Sequence, residues 1–247
     1  MKSIMLSIKP KYCELIANGK KTIEVRKSRP KAEPLFKVYI YCAKPSKSHQ
    51  TICGCMVLNS DELYRHPKEG IKYGDSIELM CCNSKEYSKD NFLNGKVIGE
   101  FICDEISKFT AEFTDGQTYE DIRLCYFNEC EEEEEMIIVS NEWKNPDISW
   151  ICKESCLSFN DFRRYIGANF HDIPFYGWHI SNLVIYDTPK ELRTFNHPCI
   201  HEPYCVDCKY SLNEARFCYD ESVGCDRHLR RPPQSWCYVE ELGEENK

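Results

Sequence analysis

The stretch Gly19–Lys31, GKKTIEVRKSRPK, packs six basic side chains and a single acid, Glu24, into thirteen residues. Just before it, Pro10 suits a first helical turn, and Tyr12, Leu15 and Ile16 fall at i, i+3 and i+4 to make one apolar face. Residues 4–18 therefore read as a short strand followed by a helix, which Asn18-Gly19 stops in a left-handed turn. From Lys21 the pattern switches to period two. KTIEVR puts Ile23 and Val25 on one face of a strand, and Thr22, Glu24 and Arg26 on the other. Lys21 stands at the corner between helix and strand.

The charge around this corner is out of keeping with the rest of the chain. The 247 residues carry a net charge of -8, yet residues 1–50 alone hold 12 Lys and Arg against 3 Asp and Glu. A basic region on an acidic body attracts phosphates, because the field near a cleft follows local charge. A solvated basic face is the plainer alternative. At 247 residues the chain is long enough for one large domain, or one domain plus an appendage, and 42% hydrophobic residues suffice for a core. No apolar run reaches the ~18 residues that would suggest a membrane span. The opening MKSIMLSIKPK lacks the apolar core of a secretory signal, so the expectation is a cytoplasmic protein.

Further along, FKVYIYCAK, ICGCMVL, DSIELMCC and GKVIGEFICDEI are strand-like, and YGWHISNLVIYDTP gives another strand ended by Pro189. CLSFNDFRRYIG reads as an amphipathic helix stopped at Gly167, while 111–150 reads as irregular. Its acidic run Glu131–Glu135 reads as a solvated loop.

The run LSIKPKYCELIANGKKTIEVRK resembles the ASCH family, a branch of the PUA-like superfamily, through Gly19, Lys21, Glu24 and Arg26 of a Gly-x-Lys-x-x-Glu-x-Arg motif. VYIYCAKP, NGKVIGEFICDEI, YGWHISNLVIYDTPKEL and PPQSWCYVEE extend the resemblance, which is to the Firmicute and phage type of ASCH protein. It implies an α+β fold: a PUA-like β-barrel flanked by helices over 1–195, with insertions at 45–94 and 107–150. It also implies a cleft for RNA or a nucleotide, lined by the motif. One bacterial branch is an amidohydrolase that deacetylates N4-acetylcytidine. A phage protein sequestering a host nucleotide or partner is a further implied role.

The residues themselves are compatible with such a cleft. Lys21, Arg26 and the neighbouring Lys20 are candidates for phosphate, with Arg26 offering a two-pronged fork. Glu24 is suited to accept hydrogen bonds from a base amino group. Alternatively, Glu24 and Arg26 pair on an exposed strand, worth ~0.5 kcal/mol. Trp178 is a candidate for stacking on a base, with packing in the core as its other reading. For catalysis the candidates are Lys21, Thr22 as nucleophile and Glu24 as base. In the deacetylating branch the nucleophile would fall on Glu24, which lacks a hydroxyl. Residues i and i+2 on a strand also stand about 7 Å apart, far for a nucleophile and its base.

Seventeen cysteines in a reducing compartment point to metal rather than disulfides for any cluster. In the cysteine-rich segment 196–247, Cys205 and Cys208 have zinc-knuckle spacing, and Cys218 and Cys225 complete a set of four thiolates. A structural zinc in this C-terminal appendage is expected, with Cys199, His201 or His228 as substitute ligands. Such an ion would supply the folding energy that a tail with few apolar residues lacks.

Overall fold

The computed structural model describes residues 2–44, 51–57, 63–64, 77–83, 93–113, 122–127, 148–166, 174–198 and 227–243. In chain order the elements are β1 (Lys2–Ile8), α1 (Pro10–Ala17), β2 (Ile23–Arg26), β3 (Phe36–Cys42), β4 (Thr51–Val57), β5 (Leu63–Tyr64) and β6 (Ile77–Asn83). There follow β7 (Lys96–Cys103), β8 (Ile106–Phe113), β9 (Ile122–Phe127), α2 (Ile148–Ser155), α3 (Phe159–Ile166), β10 (Phe175–His179), β11 (Ser181–Glu191) and β12 (Trp236–Glu240).

Five strands form the central sheet in the order β11-β7-β3-β1-β12, and four form a second in the order β2-β10-β8-β9. β1 and β3 are parallel, and their crossover carries α1 and β2. The two sheets share bent strands. β7 runs into β8 and β10 into β11, and at the bend His179 N–H donates to the Glu105 carbonyl and Ile180 N–H to that of Thr22. A third sheet, β5-β4-β6, packs on α1. There the side chain of Asn18 exchanges two hydrogen bonds with the backbone of Leu79, and Glu14 accepts from Cys81 N–H.

The expected closed barrel is not formed by the described strands, which make three open sheets. Closure would need β2 to pair with the β12 edge, but β2 is four residues long and leads into a loop holding Pro30 and Pro34. Side chains span that seam instead. Trp236 Nε1 donates to Ser28 Oγ at 3.0 Å, Lys31 N–H to the Tyr238 hydroxyl at 2.9 Å, and Arg26 reaches across to β1.

Alternating strand positions divide the core. Ile4, Leu6, Ile8, Val38 and Ile40 face one way with Phe101 and Trp178. Met5, Tyr39 and Tyr41 face the other way, against Leu192, Phe195 and Leu229. The second sheet buries Ile23, Val25, Phe109 and Phe175 against Ile151 of α2 and Phe162 of α3. Both helices are amphipathic and cover this apolar face. β12 comes from the cysteine-rich segment yet is an edge strand of the central sheet, paired antiparallel with β1. The four expected zinc ligands Cys205, Cys208, Cys218 and Cys225, with Cys199 and His201, lie outside the described residues. His228 is exposed and bridges to Asn196.

Candidate functional site

The corner that carries Lys21 is built by the end of α1. Gly19 adopts φ +68°, a left-handed conformation that costs a side-chain-bearing residue energy. This lets Gly19 N–H donate to the Ile16 carbonyl and Lys20 N–H to that of Leu15, satisfying the last turn. Lys21 N–H also donates to Leu15, which turns the chain sharply and points it into β2.

β2 then brings three charged side chains together under cover. Lys21 is 2% exposed, Glu24 7% and Arg26 8%. Lys21 Nζ lies 3.1 Å from Glu24 Oε2, and Arg26 Nη2 lies 2.9 Å from Glu24 Oε1. One carboxylate therefore bridges two cations. Each cation has a further anchor: Lys21 Nζ donates to the Ser155 carbonyl at 2.6 Å, and Arg26 Nη2 to the Ser7 carbonyl at 2.8 Å. Ser155 ends α2, where the carbonyls of a helix lack partners, so the ammonium meets a helix C-terminus of favourable sign. The pair of Glu24 and Arg26 is thus buried, not an exposed strand contact.

The cluster is not fully satisfied. Glu24 Oε2 is close enough to Lys21 for an ion pair but lacks hydrogen-bond geometry, and Arg26 Nε has no partner among the described residues. The same holds for Trp178 Nε1. In the β2–β10 register Trp178 stands opposite Glu24, and Tyr176 opposite Arg26, so all four share one face of the second sheet. That face presents two donors and one acceptor whose pairing is incomplete.

Aromatic rings border the cluster. Lys21 Nζ sits 5.2 Å from the centre of the Tyr12 ring, and Lys27 Nζ 5.5 Å from that of Tyr165. Burial raises the pKa of Tyr12, with the charges of Asp161 and Glu24 adding to the effect. Burial raises that of Tyr165 as well, opposed by Arg26 and reinforced by Glu24. α1 and α3 therefore flank the charged group.

Lys21, Glu24 and Arg26 are brought together. Lys20 is exposed at the rim, and Trp178 is wholly buried, edge-on to Phe36 at 5.9 Å. Thr22 is exposed and makes no hydrogen bond to Glu24. Its hydroxyl donates to Glu154 Oε2, and its N–H donates to the Glu154 carbonyl. Glu154, Ser155, Tyr12 and Tyr165 are absent from the sequence-derived set. Only Tyr12 lay in a segment read as structured near the motif, and there it served as a helix-face residue. Glu154 and Ser155 reach the corner from more than 130 residues away, which no local pattern reveals. Among the described residues no group of three or more His, Cys, Asp or Glu could hold a metal ion.

A family model described as the ASCH domain matches residues 6–154. Among solved structures, a tyrosine-to-phenylalanine mutant of the ASCH protein from Zymomonas mobilis is 15% identical, with 99% of this chain and 93% of that one covered and a TM-score of 0.41. The ASCH structure from the same organism is 13% identical, over 98% and 89% of the two chains, with a TM-score of 0.38. A search of curated proteins gave no match.

Proposed function

Given that the chain belongs to the ASCH domain family, whose members are in general RNA-binding, we propose that it binds RNA or a nucleotide at the Lys21–Glu24–Arg26 corner. The observation that carries this reading is the buried cluster itself, with Arg26 Nε, Trp178 Nε1 and Glu24 Oε2 left short of hydrogen bonds on one face. Buried polar atoms without partners are costly, so they favour a ligand that supplies them. Two donors beside one acceptor match a base that carries an amino group next to a ring nitrogen, and because these atoms are covered in the chain alone, such a base meets them by displacing the side chains that cover them. Because Lys21 and Arg26 already neutralise Glu24, the phosphates fall to the exposed rim. Lys20 and Lys27 bracket the cluster at its two ends, and Tyr12 and Tyr165 offer rings against which a base can stack.

The test is a fluorescence-anisotropy titration of a short single-stranded RNA at two salt concentrations. Lys20→Ala with Lys27→Ala removes two exposed charges, and because Lys27 lies over the Tyr165 ring, equal melting temperatures are confirmed first. The expected result is a loss of affinity of about tenfold and a shallower salt dependence. Unchanged affinity and slope would remove the site from consideration.

A second reading is favoured by the Thr22–Glu154 contact. An exposed threonine whose hydroxyl is held by a carboxylate, one residue from a lysine, has the parts for nucleophilic attack on an amide. In that reading Glu154 takes the hydroxyl proton as Thr22 Oγ bonds to the acyl carbon, the C–N bond breaks as that proton passes to the departing amine, and water then cleaves the acetyl ester to release acetate and restore the Thr22 hydroxyl. The reaction would be hydrolysis of an acetylated nucleoside such as N4-acetylcytidine. Incubation with that nucleoside, with Thr22→Val and Glu154→Gln as controls, decides it. Release of acetate that survives both substitutions would exclude this pair.

A further inference from the structure

On the face of the central sheet turned away from Trp178 lies a cleft of about 680 Å³. Its floor is apolar, from Tyr41, Leu192 and Leu229, and its rim carries Lys44, Arg193 and Arg230. The one acid among its lining residues, Glu191, is already paired with Lys96. Lys44 and Arg193 are exposed and have neither a hydrogen bond nor an ion pair among the described residues. This is the reverse of the motif corner, where one carboxylate engages both cations. The position of Lys44 is built in. Gly95, at φ +84°, lets the lysine stem lie across it, because a Cβ there would stand 2.7 Å from Lys44 Cε. Ser7 lies between the two places, lining the cleft while its carbonyl accepts from Arg26.

We propose that this cleft is a phosphate-binding site in which Lys44 and Arg193, with Arg230 beside them, hold a phosphate group above an apolar floor. Lys44 and Arg193, exposed and unpaired among the described residues, line one concavity of an otherwise acidic molecule and so concentrate anions there. An arginine fork and a lysine point charge together match the oxygens of a phosphate. Gln234 adds an amide at the rim. The phosphate has two sources, a free phosphate ester or the backbone of an RNA that also occupies the motif corner. The proposal goes beyond RNA recognition and stands if that reading fails.

The experiment compares the wild-type chain with Lys44→Ala combined with Arg193→Ala, both at exposed positions, after confirming equal melting temperatures. Inorganic phosphate and a nucleoside monophosphate are titrated by NMR, following backbone amides near Gly95 and Arg193. A hexauridylate is titrated by anisotropy. A free ester as the source predicts saturable shifts with the small probes, weakened about tenfold or more in the double variant. RNA as the source predicts a comparable loss for the hexamer, with the salt slope reduced by about 0.7 for one phosphate contact. If neither probe distinguishes the double variant from wild type, the proposal is overturned. Failure of the wild-type chain to bind the hexamer would count against RNA recognition alone, because the small probes still decide the cleft.

Discussion

Replacing Glu24 by glutamine keeps the shape of the side chain and removes only its charge. In the folded chain this strands two cations, Lys21 at 2% exposure and Arg26 at 8%, in a region closed to water. Breaking a buried ion pair from one side costs about 3–5 kcal/mol, against roughly 0.2–1 kcal/mol for an exposed pair. The lower end applies here. Lys21 keeps the Ser155 carbonyl and the face of Tyr12, Arg26 keeps the Ser7 carbonyl, and the glutamine oxygen still accepts one hydrogen bond. About 3 kcal/mol at roughly 2–4 °C per kcal/mol for a chain of this size predicts a fall in melting temperature of about 6–12 °C. Urea unfolding followed by circular dichroism measures the same loss as a free energy. Adding Lys21→Met removes one of the stranded charges, so the double variant should recover at least about 1 kcal/mol relative to Glu24→Gln alone. A single-variant loss below about 0.5 kcal/mol, or a double variant whose cost is the simple sum, would refute a desolvated bridging carboxylate.

Burial lifts the Cys103 thiol to about 12 and that of Cys237 to about 11, from 9.0 in an ordinary setting. Their contribution to stability is complete below pH 9 and lost as pH rises through those values, so melting temperature should decline steadily above about pH 9. Thermal scans from pH 7 to 11 check this, and a flat profile would contradict it. Gly19→Ala meets no steric obstacle, so its cost is the left-handed backbone alone, about 1–2 kcal/mol in denaturant unfolding. The cysteine spacing of the sequence carries a separate proposal, a structural zinc, for which elemental analysis should find one zinc per chain, lost when Cys205 and Cys208 are both changed to serine. Full zinc content in that variant would rule out those ligands.

What was legible in the sequence was local. The stop at Asn18-Gly19, Pro10 in the first turn of α1, and the period-two pattern of β2 all depend on neighbours a few residues apart. The motif residues were therefore placed at the corner between α1 and β2, where the structure has them. Alternation also separated Ile23 and Val25 from Glu24 and Arg26 correctly, but it implied one apolar and one open face. All four residues of β2 are buried, because α2 and α3 cover one side while the ion cluster is packed under α1 and the seam to β12 on the other. What was illegible was long-range. β12 pairs with β1 from the far end of a polar, cysteine-rich segment, and β9 lies in, and α2 begins in, the stretch 111–150 that reads as irregular. The anchor of Lys21 on Ser155 depends on that hidden helix. Burial makes substitution of Lys21 or Arg26 by alanine a structural change as well as the loss of a charge. Exposed Lys20 and Lys27 are the better probes of binding.

The claim that RNA rests on the corner between α1 and β2 is tested most directly by ultraviolet cross-linking to a single-stranded RNA containing 4-thiouridine, with adducts mapped by mass spectrometry. The adducts should concentrate in Lys9–Lys31 and around Tyr165. Cross-links confined to other parts of the chain, or none at saturating RNA, would contradict the account.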